Sequence, residues 1–464
     1  MKITIRHLRT LALAAALAAA LATSSAFASI PGEQPHSGNP ILPGYYADPA
    51  IVSYQGNHYI YATIDPWGGE QLSCWESSDF KNWKLNLLNW PTKTACTGPT
   101  SMGAMVWAPS VVQGTDGKFY MHVSVGSEVW VGVAEHPLGP WENPLGDRPM
   151  ISADFNREFH MIDAQAFIDD DGSAYLYWGS GWNWVNGACF AAKLAPDMAS
   201  FEGEVKNVTP PHYFEAPVVL KQNGKYYLMY SDGKTTIDTY QVHYAIGDSP
   251  LGPFEEASNS PILVTDHSRN VSSPGHHTVF EKDGQHYILY HRHNIPFEPV
   301  HRQICVDELN VTPDGLIETV TPTHRGPELV ANRLGNNTSI PASATASSFR
   351  DERTAPNHVL DNNYATRWQA ASDDSEPAIQ LEFDSISQVS HQELRPTFGW
   401  KEQRFILESS LDGTSWVSVA DYRQSPTSGS PITLIEPVTC KFLRIQFVDA
   451  AAENPPSLIE WLAY

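Results

Sequence analysis

Short alternations of apolar and polar residues, broken by glycine every few positions, run from about residue 45 to residue 310. Within them one unit recurs five times. It opens at Asp48-Pro-Ala-Ile-Val, Ala108-Pro-Ser-Val-Val, Asp163-Ala-Gln-Ala-Phe, Glu215-Ala-Pro-Val-Val and His276-His-Thr-Val-Phe. Eight or nine residues later comes a glycine (Gly56, Gly117, Gly172, Gly224, Gly284), followed by an aromatic-rich segment such as HYIYA or KYYLMY. Strand, tight glycine turn and second strand make a β-hairpin. The openings lie 60, 55, 52 and 61 residues apart, the spacing of four-stranded units in a β-propeller. If each opening begins the innermost strand of a blade, Asp48, Asp163, Glu215 and His276 converge on one central channel.

The texture changes further on. RQICVDELNV, starting at Arg302, reads as a closing strand, and the segment from Asn336 to Ala344 reads as a linker. From about Ile340 the pattern is that of antiparallel strands, among them PAIQLEFD, KFLRIQF and SLIEWLAY. The expected fold is therefore all-β: a five-bladed propeller over 29–335, then a β-sandwich over 340–464.

The first 28 residues carry Lys2, Arg6 and Arg9, then the apolar run LALAAALAAAL and Ala26-Phe27-Ala28, the form of a cleaved secretory leader. That run is too short to span a bilayer, and no lipid-anchor cysteine follows it. The expected location is periplasmic or extracellular. The net charge of −23 opposes nucleic acids and anionic membranes as partners. Five cysteines include Cys74 and Cys96, the first pair to consider for a disulfide in an oxidising compartment. None has the spacing of a zinc site. Nothing in the sequence bears on oligomeric state.

An Asp before Pro is often only a turn initiator. Asp163 and Glu215, however, sit in apolar strand context, where an unpaired charge is costly. Three acids at the openings of five repeats point to function. Glycosidic hydrolysis needs one protonated carboxyl to protonate the leaving oxygen and one ionised carboxylate to activate water or attack directly. A third acid nearby raises the donor's pKa.

The segments Ala47-Asp48-Pro49-Ala50, Val106-Trp107-Ala108-Pro109, Ile162-Asp163-Ala164, Phe214-Glu215-Ala216-Pro217, Pro274-Gly275-His276-His277 and Tyr290-His291-Arg292 resemble glycoside hydrolase family 43. The resemblance runs from about Asn39 to Arg333. It implies an inverting hydrolase with Asp48 as general base, Glu215 as general acid and Asp163 tuning and orienting the acid. It also implies sugar contacts from Trp107 and Arg292. His276, or His277 if the register is off by one, would hold a central calcium through water. Trp67, Trp75, Trp182 and Trp184 are further candidates for the substrate walls. The chemistry needs no cofactor, and calcium is expected only as a structural ion.

The C-terminal segments Leu360-Asp361-Asn362-Asn363, Thr366-Arg367-Trp368, Gly413-Thr-Ser-Trp416 and Ile459-Glu460-Trp461 resemble the discoidin-like, coagulation-factor C-type sandwich, which includes carbohydrate-binding module family 32. By that resemblance Asp361 and Glu460 are ligands of a structural calcium. The usual Asp-Gly-Asp turn is replaced here by Asp361-Asn362-Asn363. The module is expected to anchor the enzyme on polysaccharide rather than only brace the propeller.

The leading functional expectation is an exo-acting α-L-arabinofuranosidase, or a β-xylosidase, acting on plant cell-wall side chains. A galactosidase of the same family is an alternative. A retaining invertase-like enzyme is disfavoured by Ala-Asp-Pro-Ala where that lineage has Asn-Asp-Pro-Asn. A non-catalytic sugar-binding propeller would have lost at least one of the three acids.

Overall fold

The computed structural model describes residues 38–101, 103–295, 298, 300–331, 333, 341–448 and 454–464. The expected leader, 1–28, lies outside these residues, as does the first part of the expected linker. Its remainder is not linker: Pro341–Ala346 is a strand of the second domain, paired with Ala378–Val389.

Each repeat forms one antiparallel sheet. The five sheets begin at Tyr46–Tyr54, Val106–Gln113, Gln165–Ile168, Glu215–Gln222 and Gly275–Lys282, with three or four strands each in sequence order. These first strands touch one another in a closed ring, the first against the second and the fifth, so they are the innermost strands of a five-bladed propeller. Apolar residues from adjoining blades fill the space between them; Trp90, Trp130 and Trp141, for example, share a cluster between the first and second blades. The ring is closed by the segment that precedes the first strand. Asn39 and Ile41 donate backbone N–H groups to His324 and Ile304, and Ile41 and Leu42 pack against Leu289, Ile304 and Val306 of the fifth blade.

All five thiols are free and buried. Cys74 and Cys96 are not bonded to each other; both sit in the apolar core between the first two blades, where cysteine behaves as a small hydrophobe.

The C-terminal domain is a sandwich of a five-stranded and a four-stranded sheet around Trp368, Phe383, Phe405 and Trp461. It is docked on the first and fifth blades. Leu85 N–H donates to Ser430 O (2.8 Å), Gln303 Nε2 to Tyr364 O (2.8 Å) and an Arg395 guanidinium nitrogen to Trp83 O (2.9 Å). Trp400 packs into the propeller cluster that holds Trp75 and Trp83. Among the described residues, no helix is long and apolar enough to cross a membrane.

Candidate active site

Every innermost strand carries, or in the third blade is closely preceded by, a non-glycine residue in the left-handed region: Asp48 (φ 51°), Ala108 (44°), Asp163 (57°), Ala216 (57°) and His276 (38°). Such a conformation is unfavourable outside glycine and persists only where the surroundings hold it. Here the holding is explicit. The N–H of Ala108 donates to Thr63 Oγ1 (2.8 Å), that of Asp163 to Ser124 Oγ (3.0 Å) and that of His276 to Ser231 Oγ (3.0 Å). The N–H of Asp48 reaches His291 Nδ1 (3.4 Å), and that of Ala216 meets the Asp163 carboxylate. In each case the acceptor belongs to the preceding blade, so the contacts form a ring around the axis.

The left-handed residues correct the repeat alignment. The residue matching Asp48 and Asp163 in the fourth blade is Ala216, and Glu215 stands one position earlier. Glu215 pairs with Ser231 as Ala47 pairs with Thr63, Trp107 with Ser124 and Gly275 with His291. Neighbouring strand residues normally face opposite sides, but a bulge cancels that alternation. The register shifts just after these pairs, so both positions deliver side chains to the same cavity.

That cavity is about 490 Å³, and Asp48, Asp163, Glu215, His276 and Trp107 all line it. Asp48 accepts from an Arg302 guanidinium nitrogen (2.9 Å) and from Thr63 Oγ1 (2.7 Å). His276 Nδ1 lies 3.2 Å from Asp48 and 3.8 Å from Asp163. Glu215 accepts from Tyr240 OH (2.7 Å) and Ser180 Oγ (2.9 Å). Tyr240 comes this close because of Gly275, where a Cβ would lie 2.4 Å from its ring.

Burial pushes all three carboxyls up, and their neighbours then separate them. For Asp48 burial is outweighed by Arg302, with His276 and His291 in support, and the carboxyl falls well below the usual range. Burial lowers both imidazoles, His291 to about 3, so near neutral pH the lasting positive charge on Asp48 is that of Arg302. Glu215 is raised to about 7 by burial, with Tyr240 and Ser180 opposing and Asp48 adding to the rise. Asp163 is raised well above its usual value by burial, then by Glu215 and Asp48. In the pocket the ionised form is thus favoured at Asp48 and the protonated form at Glu215 and Asp163.

The profile of "Glycosyl hydrolases family 43" matches residues 37–317, and that of "F5/8 type C domain" matches residues 343–462. The chain belongs to glycoside hydrolase family 43. It is 35% identical over 310 residues to a β-D-galactofuranosidase of Aspergillus niger, covering 63% of this chain and 87% of that one. It is 26% identical over 389 residues to an arabinoxylan arabinofuranohydrolase of Bacillus subtilis, covering 71% and 74%. A solved glycoside hydrolase superposes with a TM-score of 0.78 at 26% identity, over 93% of this chain and all of that one. The two-domain layout is therefore shared with a solved relative.

Within this family 43 site two expectations are corrected. Arg292 does not reach the pocket. Its guanidinium donates to Thr323 O (3.1 Å) and contacts His324 Nδ1 (2.9 Å). Directly opposed residues of antiparallel strands share a face, and Arg292 lies opposite Gln303 whereas His293 lies opposite Arg302. Arg302 thus shares the face of His291, and it takes the place expected of Arg292. Trp75 is likewise core, fully buried in the strand Gln71–Ser77, whereas Trp67, Trp182 and Trp184 line the cavity as expected.

Arg302, Tyr240 and Ser180 went unread in the sequence, because no repeat position marks them; Thr63 was also unread, although it holds the repeat position of Ser124 and Ser231. Asp361 and Glu460 lie together in the sandwich. Both the Asp361 and the Glu460 side chain accept from Asn363 N–H (3.0 and 2.8 Å).

Thr63→Val removes a hydroxyl that serves Ala108 N–H and Asp48 at once. Unfolding stability should fall by roughly 1–3 kcal/mol and recover in Thr63→Ser, as read by denaturant titration.

Proposed function

We propose that the protein is a secreted, inverting exo-glycosidase that removes α-L-arabinofuranosyl groups from plant cell-wall polysaccharides. The observation that carries this reading is that one cavity sets Asp48 against the Arg302 guanidinium and Glu215 against the neutral hydroxyls of Tyr240 and Ser180. Glu215, protonated, donates to the glycosidic oxygen as that bond breaks. Asp48, ionised, takes a proton from a water that attacks the anomeric carbon from the opposite face. Asp163 shares the proton economy of Glu215, because two buried carboxyls resist joint ionisation. Trp107, with Trp67, Trp182 and Trp184, supplies apolar faces for the sugar's C–H surfaces, and these walls favour action at chain ends. The acidic chain and its leader-like start support export to a carbohydrate substrate, with no nucleic acid or membrane partner.

A β-D-galactofuranoside is the second reading, favoured by the 35% identity to a galactofuranosidase. The two sugars share the configuration of the five-membered ring and differ in the length of the exocyclic chain. Xylose stands third, on the strength of a similar xylosidase/arabinosidase of Bacteroides ovatus (27% identical).

Calcium is proposed as a structural ion at two places. In the sandwich, Thr366 Oγ1 faces both Asp361 oxygens (3.0 and 2.8 Å) and Asn363 O (2.9 Å) with a single proton, and Glu460 Oε2 is buried without a partner. That oxygen-rich set suits calcium. On the propeller axis, His276 is engaged by Asp48, whereas both ring nitrogens of His277 are buried without partners beside a void of about 20 Å³. A void of that size holds about one water, whereas ligand atoms of Asp163, Glu215 and His276 lie within 4.8 Å of one another, so the carboxylates beside His276 suit a water-held ion better than His277 does.

Proton NMR of turnover on aryl α-L-arabinofuranoside, β-D-galactofuranoside and β-xyloside should show an inverted anomer from one furanoside. A retained anomer would overturn the mechanism. Glu215→Gln should lose about 10²–10⁴-fold on natural linkages and far less on aryl glycosides with good leaving groups, while Asp48→Asn should lose activity on all of them. The active form holds Glu215 protonated, so kcat/KM should fall as pH rises through about 7. Tyr240→Phe removes a bond that favours the ionised form, which moves this limb to higher pH. Chelation should lower the thermal midpoint of the wild type and have less effect on Glu460→Gln.

A further inference from the structure

The catalytic pocket is lined by the propeller alone, yet the sandwich grips the chain immediately before two of its key residues. Tyr45 stands three positions before Asp48, and His301 stands directly before Arg302. Their rings stack on each other at 4.3 Å and 13°. The sandwich closes over this pair. Phe398 meets Tyr45 edge-on at 5.9 Å, and the Arg367 guanidinium lies over the Tyr45 ring at 5.5 Å. Gly44 fits so closely that a Cβ there would stand 2.7 Å from Thr397 O.

Charge completes the grip. Glu298 accepts from His301 Nδ1 (2.7 Å) and Asn294 Nδ2 (3.2 Å), and His301 N–H returns to Glu298 O (3.0 Å). From the sandwich, Arg350 and Arg367 approach the same carboxylate at 3.5 and 3.6 Å. Arg367 is almost wholly buried there, with 7% of its side chain exposed. Beyond His301, Arg302 is fixed by three bonds to Asp65 (2.8, 3.0 and 2.7 Å) and meets Asp48 at 2.9 Å.

We infer that the sandwich is a working part of the active site, in which Arg350 and Arg367 are positioning residues that act through Glu298, His301 and Tyr45 to hold Arg302 against Asp48. A domain that serves only to anchor the enzyme on polymer needs no contact with these residues. The inference rests on Asp48 as the general base. The other groups facing Asp48 are His276, His291, Asp163 and Glu215, and none of them is touched by the substitutions below.

The test uses full-length protein and the small aryl furanosides, which offer no polymer to anchor on. Arg350→Ala/Arg367→Ala should lower kcat roughly tenfold, since small misplacements of reacting groups are costly, and leave KM within roughly twofold. Arg302 holds the Asp48 carboxyl low, so loosening it raises that pKa. The acid limb of kcat/KM should then move to higher pH. Glu298→Gln, which removes the charge but keeps the shape, should reproduce both effects if the double variant folds poorly. The imidazole resonances of His276 and His291 should shift in the same variants, a readout that needs no turnover.

Unchanged kcat, acid limb and imidazole signals, with only polysaccharide retention reduced, would overturn the inference and leave the sandwich as an anchor. Asp48→Asn run alongside separates the two readings. If it keeps activity, the base assignment fails; if it is inactive while the arginine variants match wild type, only the bracing role fails.

Discussion

The ring of inter-blade contacts at the inner strands is the constraint on which the site depends. A left-handed backbone at five non-glycine residues is unfavourable at each of them. It is sustained because each N–H is accepted by the preceding blade, through Thr63, Ser124, Asp163, Ser231 and His291 in turn. Three of these acceptors also meet or belong to the acids: Thr63 binds Asp48, His291 Nδ1 lies 3.2 Å from the Asp48 carboxylate, and Asp163 is one of the three acids. Folding and function therefore use the same bonds. Blade closure aims the carboxyls, and a break in the ring would disturb both.

Burial supplies the second element. It raises every carboxyl in the pocket, so which one ionises is decided by where permanent charge is placed. Arg302, itself held by Asp65, lies against Asp48 and not against Glu215. Glu215 receives only neutral hydroxyl donors, from Tyr240 and Ser180. One guanidinium thus separates two chemically similar groups, holding the Asp48 carboxyl low while burial raises that of Glu215. The same guanidinium adjoins the stacked pair that the sandwich covers, which joins the second domain to the electrostatics of the first.

Much of this was legible in the chain. The five openings, their glycine turns and the aromatic strands marked the propeller, because a two-residue period and a turn residue are local properties. Asp48, Asp163, Glu215 and His276 could be gathered into one cavity from repeat spacing alone, and Trp107 joined them through the family resemblance. The texture beyond residue 340 marked the sandwich in the same way. Arg302 was not legible. It and Arg292 lie on facing strands of one hairpin, and only their cross-strand pairing shows which of the two points at the pocket. Trp75 and the cysteine pair were misread for a related reason, since burial depends on what the neighbouring blade brings.

By itself, the sequence determined the architecture, the set of acids and the family, since all of these are written as short-range patterns repeated along the chain. Tertiary structure alone decided that Glu215 stands one residue off the repeat, that Arg302 rather than Arg292 faces Asp48, and that Tyr240 and Ser180 hold Glu215. It also decided that the sandwich sits against the residues preceding Asp48 and Arg302. Each of these is a contact between segments far apart in sequence. Such contacts are set by bulges, strand pairing and close packing, which leave no periodic mark on the chain.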